Sequence, residues 1–440
     1  MRKSAILGIL VLALALAPDR SFAAFTFEAH PGLYTSYEYT DNYRGEVRDA
    51  RSEGIYYVGP SLAINGVSPT VSLDFTGRYA RSYHNRFPED DSPEIALSSH
   101  ATHTIPRLVT SAAYDFSRSL TRDSLSEPFG EHRTHTGSIG STWEMTPTTS
   151  INAGYGITSE NWIGDVVDGE DVMSNSGSLG MTHRLNPLNT LSLSAGIVRH
   201  DYEDSEDVTE TNGSLRFDHV VTPALSLGLS SSYNHEEMGD LRDEDRYDER
   251  LTGHYAFPHA MTLSLDAGYS WLVTEFQTRA LRAPTSSLRP TGSSWIVVKD
   301  RDRATAFVGS ASLEKELEHD RFSLHIAREY TSEFTTDLYG TYETTSGSLE
   351  WEKNFLRGWT STVHFSMDRR RPTGDTDDEE ETDTTGSLFL GWNPVEQFSL
   401  NWSLLNYIMI SLGYEYLRTE YETSGTAREN RYSVVAEVRY

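Results

Sequence analysis

"MTLSLDAGYSWLV", Met261 to Val273, alternates almost throughout. Met261, Leu263, Leu265, Ala267, Tyr269, Trp271 and Val273 form one set; Thr262, Ser264, Asp266, Gly268 and Ser270 form the other. A β-strand sends successive side chains to opposite faces. This stretch therefore reads as a strand with one apolar face carrying aromatics and one small, hydroxyl-rich face. Lipid on one side and water on the other would suit it. So would a half-buried strand of a soluble sheet.

The pattern recurs. "PTVSLDFTGRYARSY" (Pro69 to Tyr83), "TLSLSAGIVRHDY" (Thr190 to Tyr202) and "ALSLGLSSSYN" (Ala224 to Asn234) alternate in the same way. The second face is rich in Ser, Thr, Gly, Asp and His, with Arg78, Ala80 and Val198 among them. A water-filled lumen is lined like that. A soluble β-sandwich needs large buried residues there.

Turn signals fall at Asn65-Gly66, Ile105-Pro106, Thr146-Pro147, Asn186-Pro187, Thr222-Pro223 and Phe257-Pro258, then at Glu318-His319-Asp320, Leu356-Arg357-Gly358 and Asn393-Pro394. The spacing is roughly forty residues, with two long strands per period. A β-propeller of that period would hold four short strands. Between the short turns lie longer acidic connections: "NRFPEDDSPE", "IGDVVDGEDVMS", "EDSEDVTE", "EEMGDLRDEDR" and "RRRPTGDTDDEEETD". Short turns at one end and long loops at the other predict an all-β, antiparallel, up-and-down transmembrane barrel of about 18–20 strands. The longest loop is expected from Gln277 to Asp302, and one long strand from Phe398 to Tyr421.

Arg2, Lys3, an apolar run and a small-x-small exit at Ser21 and Ala23 predict a signal peptide over residues 1–23, followed by a single barrel domain over 24–440. The chain has no Cys, which excludes disulfides and thiolate metal sites. Mean hydropathy is −0.50, as expected where only one face of each strand meets lipid. Aromatic residues make up 11%, and Tyr and Trp favour membrane interfaces. Net charge is −28; without residues 1–23, which hold three basic and one acidic residue, it is −30. Such a charge argues against nucleic acid and favours cations.

The last ten residues, "RYSVVAEVRY", place Tyr432, Val434, Ala436, Val438 and Tyr440 on one apolar face. This ending resembles the signal read by the outer-membrane barrel assembly machinery, which the resemblance implies as a partner. Over the whole chain after residue 23, the layout resembles the β-barrel porin families of Gram-negative bacteria. "YTSYEYTDN" (Tyr34 to Asn42) looks like the early strand of the type found near exopolysaccharide and exosortase genes. The resemblance implies an outer-membrane channel for hydrophilic solutes, with a link to exopolysaccharide export and polysaccharide as a partner.

No Gly-x-Ser-x-Gly, His-Glu-x-x-His or Walker-type loop occurs, so an outer-membrane hydrolase ranks last. His132 and His135, like His100 and His103, fall on opposite faces of a strand. The wet faces supply the expected pore lining: Asp74, Arg78, Asp115, His254, Asp266 and Glu314, then His325, Glu329, His364, Asp368 and Glu415, with Glu350, Glu437 and Arg439 beside them. Arg279, Arg282 and Arg289 are expected on a constriction loop facing an acidic wall. No cofactor is expected beyond Ca²⁺ or Mg²⁺ held loosely at the acidic loops, where oxygen ligands would suit either ion and could bridge lipopolysaccharide. The second functional reading is a structural or adhesive barrel with a blocked lumen, whose loops bind cations or lipopolysaccharide.

Overall fold

The computed structural model describes residues 25–43, 50–121, 130–163, 171–203, 205–239, 242–281, 295–334, 339–356, 358–372, 381–393, 407–421 and 425–439. Residues 1–24, including the expected signal peptide, lie outside them, as does Tyr440. The first strands are β1 (Thr26–Thr40), β2 (Glu53–Val67), β3 (Val71–His84), β4 (Pro93–Ile105) and β5 (Leu108–Thr121). Next come β6 (Gly130–Thr146), β7 (Thr149–Ile163), β8 (Val172–Asn186), β9 (Asn189–Tyr202) and β10 (Val208–Thr222). The third group is β11 (Leu225–Met238), β12 (Arg242–Phe257), β13 (Met261–Leu281), β14 (Trp295–Glu316) and β15 (Asp320–Phe334). The last are β16 (Tyr339–Leu356), β17 (Trp359–Pro372), β18 (Glu381–Trp392), β19 (Tyr407–Tyr421) and β20 (Gly425–Arg439).

Each strand pairs antiparallel with the next, and β20 pairs with β1, closing a 20-stranded barrel. Closure leaves no sheet edge, the condition for a sheet to cross lipid. The period-two pattern explains the orientation. On β13, Leu265, Tyr269 and Trp271 are 49%, 58% and 41% exposed, while Ser270 between them is 1% exposed. Leu, Val and Ile on the other outward faces are uncovered in the same way, as at Leu193, Leu229, Leu251, Leu412 and Val434. Two aromatic girdles bound this belt. Tyr233–Tyr247 and Tyr414–Tyr432 pairs, with ring centroids 4.9 and 5.1 Å apart, stand towards the long-loop end. Tyr255–Phe257 and Trp359–Trp392, at 4.4 and 5.5 Å, stand towards the short-turn end.

The short turns are built by side-chain oxygens that accept from the backbone two or three residues on. Thr146 Oγ1 accepts from Thr148 N, Asn186 Oδ1 from Leu188 N, and Thr222 Oγ1 from Leu225 N. The intervening prolines preset the turn.

Three expectations need correction. Asn65 and Gly66 lie inside β2, and the turn falls at residues 68–70, where Ser68 Oγ accepts from Val71 N at 2.9 Å. Gly66 serves packing instead: a Cβ there would strike the Phe25 ring. The run from Asp240 to Asp245 is mostly strand, since β12 begins at Arg242. Much of the expected loop from Gln277 to Asp302 is hairpin; Gln277 to Leu281 pairs with Lys299 to Trp295, and Arg279 sits in β13 opposite Val297. Arg282 and Arg289 lie outside the described residues. The long strand expected from Phe398 is described only from Tyr407.

Candidate functional site: the inner wall

The inward face is the one opposite the lipid belt, and the register assigns it residue by residue. Asp74 stands between Asn65 and His100, Arg78 between Ser61 and Ala96, and Asp115 between Ser98 and Thr136. His254 stands between Ser226 and Ser264, Asp266 between Thr252 and Ser310, and Glu314 between Thr262 and Ser323. His325 lies between Ser312 and Ser348, Glu329 opposite Thr344, His364 between Glu350 and Ser387, Asp368 between Ser346 and Asp383, and Glu415 between Ser387 and Arg431. All are on the face opposite the apolar belt, spread around the wall. Short hydroxyl residues flank most of them.

Several inward arginines did not announce themselves in the sequence. Arg216 holds Asp218 at 2.8 Å, and Arg250 holds Asp266 at 3.1 Å. Arg431 gathers Glu429 at 2.7 Å, Glu415 at 3.6 Å and Glu38 at 4.0 Å. Three carboxylates around one guanidinium leave that patch net negative. The stretch "RDEDRYDER" on β12 looks like a charged loop; only register shows that Arg242, Glu244, Arg246, Asp248 and Arg250 share the inner face.

At its long-loop end the wall is tightly packed where β1, β2 and β20 meet. Thr40, Glu53 and Glu429 are each 1% exposed there, and Thr40 Oγ1 donates to Glu429 at 2.8 Å. Acidic residues at the loop stems are committed to the backbone. Glu53 Oε1 accepts from Asn85 N, Asp91 Oδ1 from His84 N, and Asp171 from Trp162 N and Asn161 Nδ2. Among the described residues no group of three His, Asp or Glu could hold a metal ion. Most of the acidic runs at 165–170 and 375–380 lie outside them.

β14 and β15 share only eight register pairs, from Gly309–Arg328 to Glu316–Arg321, whereas β13 and β14 share a ladder that continues to Leu281–Trp295. Beyond that seam, Arg246 Nη1 on the inside of β12 donates to the Tyr330 carbonyl oxygen of β15 at 3.1 Å. Two strands separate β12 from β15 along the wall. The bond therefore brings the backbone of upper β15 up to the inner face of β12.

One line of groups has the types used in acyl transfer. Ser174 Oγ lies 2.7 Å from His200 Nδ1, and His200 Nε2 lies 3.5 Å from Glu210. The neighbouring backbone N–H groups belong to the ladders of β8, β9 and β10, so among the described residues no pair of backbone donors there is free to hold an oxyanion.

A closed antiparallel barrel, an outward apolar belt between two aromatic girdles, and a polar interior leave one placement. The chain is an integral outer-membrane barrel. No family model matches it, and no curated protein matches it. Solved structures that resemble it include Pseudomonas aeruginosa OpdQ, at 12% identity and a TM-score of 0.43, covering 94% of this chain and 98% of that one. Pseudomonas aeruginosa OccK2 matches at 11% identity and 0.41, with 94% and 98% covered. The siderophore receptor PirA from Acinetobacter baumannii matches at 7% and 0.47, with 94% and 81% covered. At 7% to 12% identity none of them assigns a role to a residue of this chain.

Proposed function

We propose that the barrel is a passive channel for small hydrophilic solutes that favours cations. The observation that carries this is the inner wall: among the described strands it is mainly Ser, Thr, Gly and charged residues, and the acidic groups outnumber the basic ones there. Water-filled lumens of this size conduct unless something fills them. The test is single-channel conductance in a planar bilayer with a salt gradient, on barrel shown to be folded by its shifted mobility when unboiled. Steps with a cation-leaning reversal potential support the reading. Silence from folded barrel removes it.

A narrowed or closed lumen is the second reading, and the β15 segment held by Arg246 favours it. The barrel would then act through its loops on cations or lipopolysaccharide. A role in exopolysaccharide export rests on "YTSYEYTDN" alone. Loss of secreted polysaccharide on deleting the gene would support it, and unchanged secretion would remove it. Outward Tyr432, Val434, Ala436 and Val438 suit recognition by the assembly machinery, checked by the folding yield of Tyr432→Ala in cells.

A further inference from the structure

We propose that the wall between Arg78 and Asp115 is a binding subsite for a small zwitterion, a free amino acid or a compound of that size with one carboxylate and one ammonium. The proposal deepens the channel reading and rests on it for the solute's access to the lumen.

Arg78 on β3 and Asp115 on β5 line one cavity of about 460 Å³, with Tyr34, Ser98, Thr136 and Glu437. β4 runs between them and at their level presents Ala96 and Ser98 inward, with Glu94 above and His100 below. Strands lie about 4.8 Å apart, so the two backbones stand roughly 10 Å apart with a low floor between them. The opposite charges do not meet. The Arg78 guanidinium lies over the Tyr34 ring, 4.3 Å from its centroid. Among the described residues it makes no hydrogen bond and no ion pair, though it attracts Glu94 from a distance. Asp115 makes no hydrogen bond or ion pair among them either.

Several other arginines on the wall are tied to carboxylates, as Arg216 is by Asp218 and Arg250 by Asp266. Arg78 is held instead by an aromatic face, which fixes the group while leaving its N–H donors without an acceptor. A planar fork of donors suits a carboxylate bidentately. Asp115, flanked by the hydroxyl-bearing Ser98 and Thr136, suits an ammonium. A simple anion would satisfy Arg78 but meet Asp115 and Glu437. A simple cation would leave Arg78 unanswered. A zwitterion answers both.

The test compares three probes in the bilayer: γ-aminobutyrate, butyrate and butylammonium. γ-Aminobutyrate is expected to interrupt the current saturably at a concentration lower than either single-charge analogue by about tenfold or more, the worth of one charge-assisted hydrogen bond. Arg78→Gln should erase its advantage over butylammonium, and Asp115→Asn its advantage over butyrate. Equal potency of the three probes on a conducting barrel overturns the subsite and keeps the channel. If the folded barrel passes no current, calorimetric titration in detergent micelles decides. Heat from γ-aminobutyrate that Arg78→Gln abolishes keeps the subsite and removes the channel. No heat removes both.

Discussion

Arg246 reaches past the inner faces of β13 and β14 to donate to the carbonyl oxygen of Tyr330, at 3.1 Å. This bond stands in for the ladder that β14 and β15 do not form above Gly309. Arg246→Ala is expected to release the upper β15 segment. Single-channel records should then show larger steps or added flicker, and amides near Tyr330 should exchange faster with solvent. An unchanged step size and exchange rate would show that the segment does not narrow the mouth.

Charge on the wall should set selectivity. Asp266→Asn removes one of two carboxylates beside Arg250, Asp248 remaining at 3.8 Å, and Glu415→Gln removes one of three around Arg431. Each change should move the reversal potential towards anions, and the double variant should move it furthest. If both leave it where it was, these residues do not face the permeating ions.

Screening should weaken that selectivity. The Debye length falls from about 10 Å at 0.1 M salt to about 3 Å at 1 M. Fixed carboxylates on a wide lumen wall then lose their reach. Cation preference measured at matched salt ratios should decline as absolute concentration rises. Selectivity independent of concentration would point to a narrow filter instead.

Gly59 marks a tight approach between β2 and β3. The ladder pairs Val58 with Arg81 and Ser61 with Arg78, and skips Gly59 and Pro60. Pro60 has no N–H to give. A Cβ at Gly59 would collide with the Tyr79 carbonyl. Gly59→Ala should cost about 1–3 kcal/mol, as overpacking does. It should lower the temperature at which the compact unboiled form is lost on gels. Gly253→Ala is the control, because its Cβ would meet only Leu227 Cδ2 at 3.6 Å.

The barrel was legible because lipid imposes a strict period of two wherever a strand crosses it. Met261 to Trp271 shows this without a break. Above the belt the outward face no longer has to be apolar, so alternation fades while the backbone ladder continues. That is why Arg242 to Arg246 read as loop, and why Gln277 to Leu281 did too. The wall residues could be assigned to a face from parity alone. Their partners could not, since the Arg250–Asp266 and Arg216–Asp218 pairs depend on cross-strand register and on rotamers. Arg78 was visible as a charge on the wet face. Its seat on Tyr34 joins two strands that are not neighbours along the chain or in the wall.

The barrel closes where Thr40 meets Glu429 and Asp41 accepts from Asn430, contacts between residues 389 apart in sequence. The β1–β20 ladder has nine register pairs to hold this join. Nothing local can form it, and contacts of such separation are slow to make. Until it forms, a growing sheet carries two bare edges, each a template for another chain. The joint is thus a timing problem as much as a structural one: the polypeptide must be kept single, and its edges covered, for as long as its first strand waits for its last.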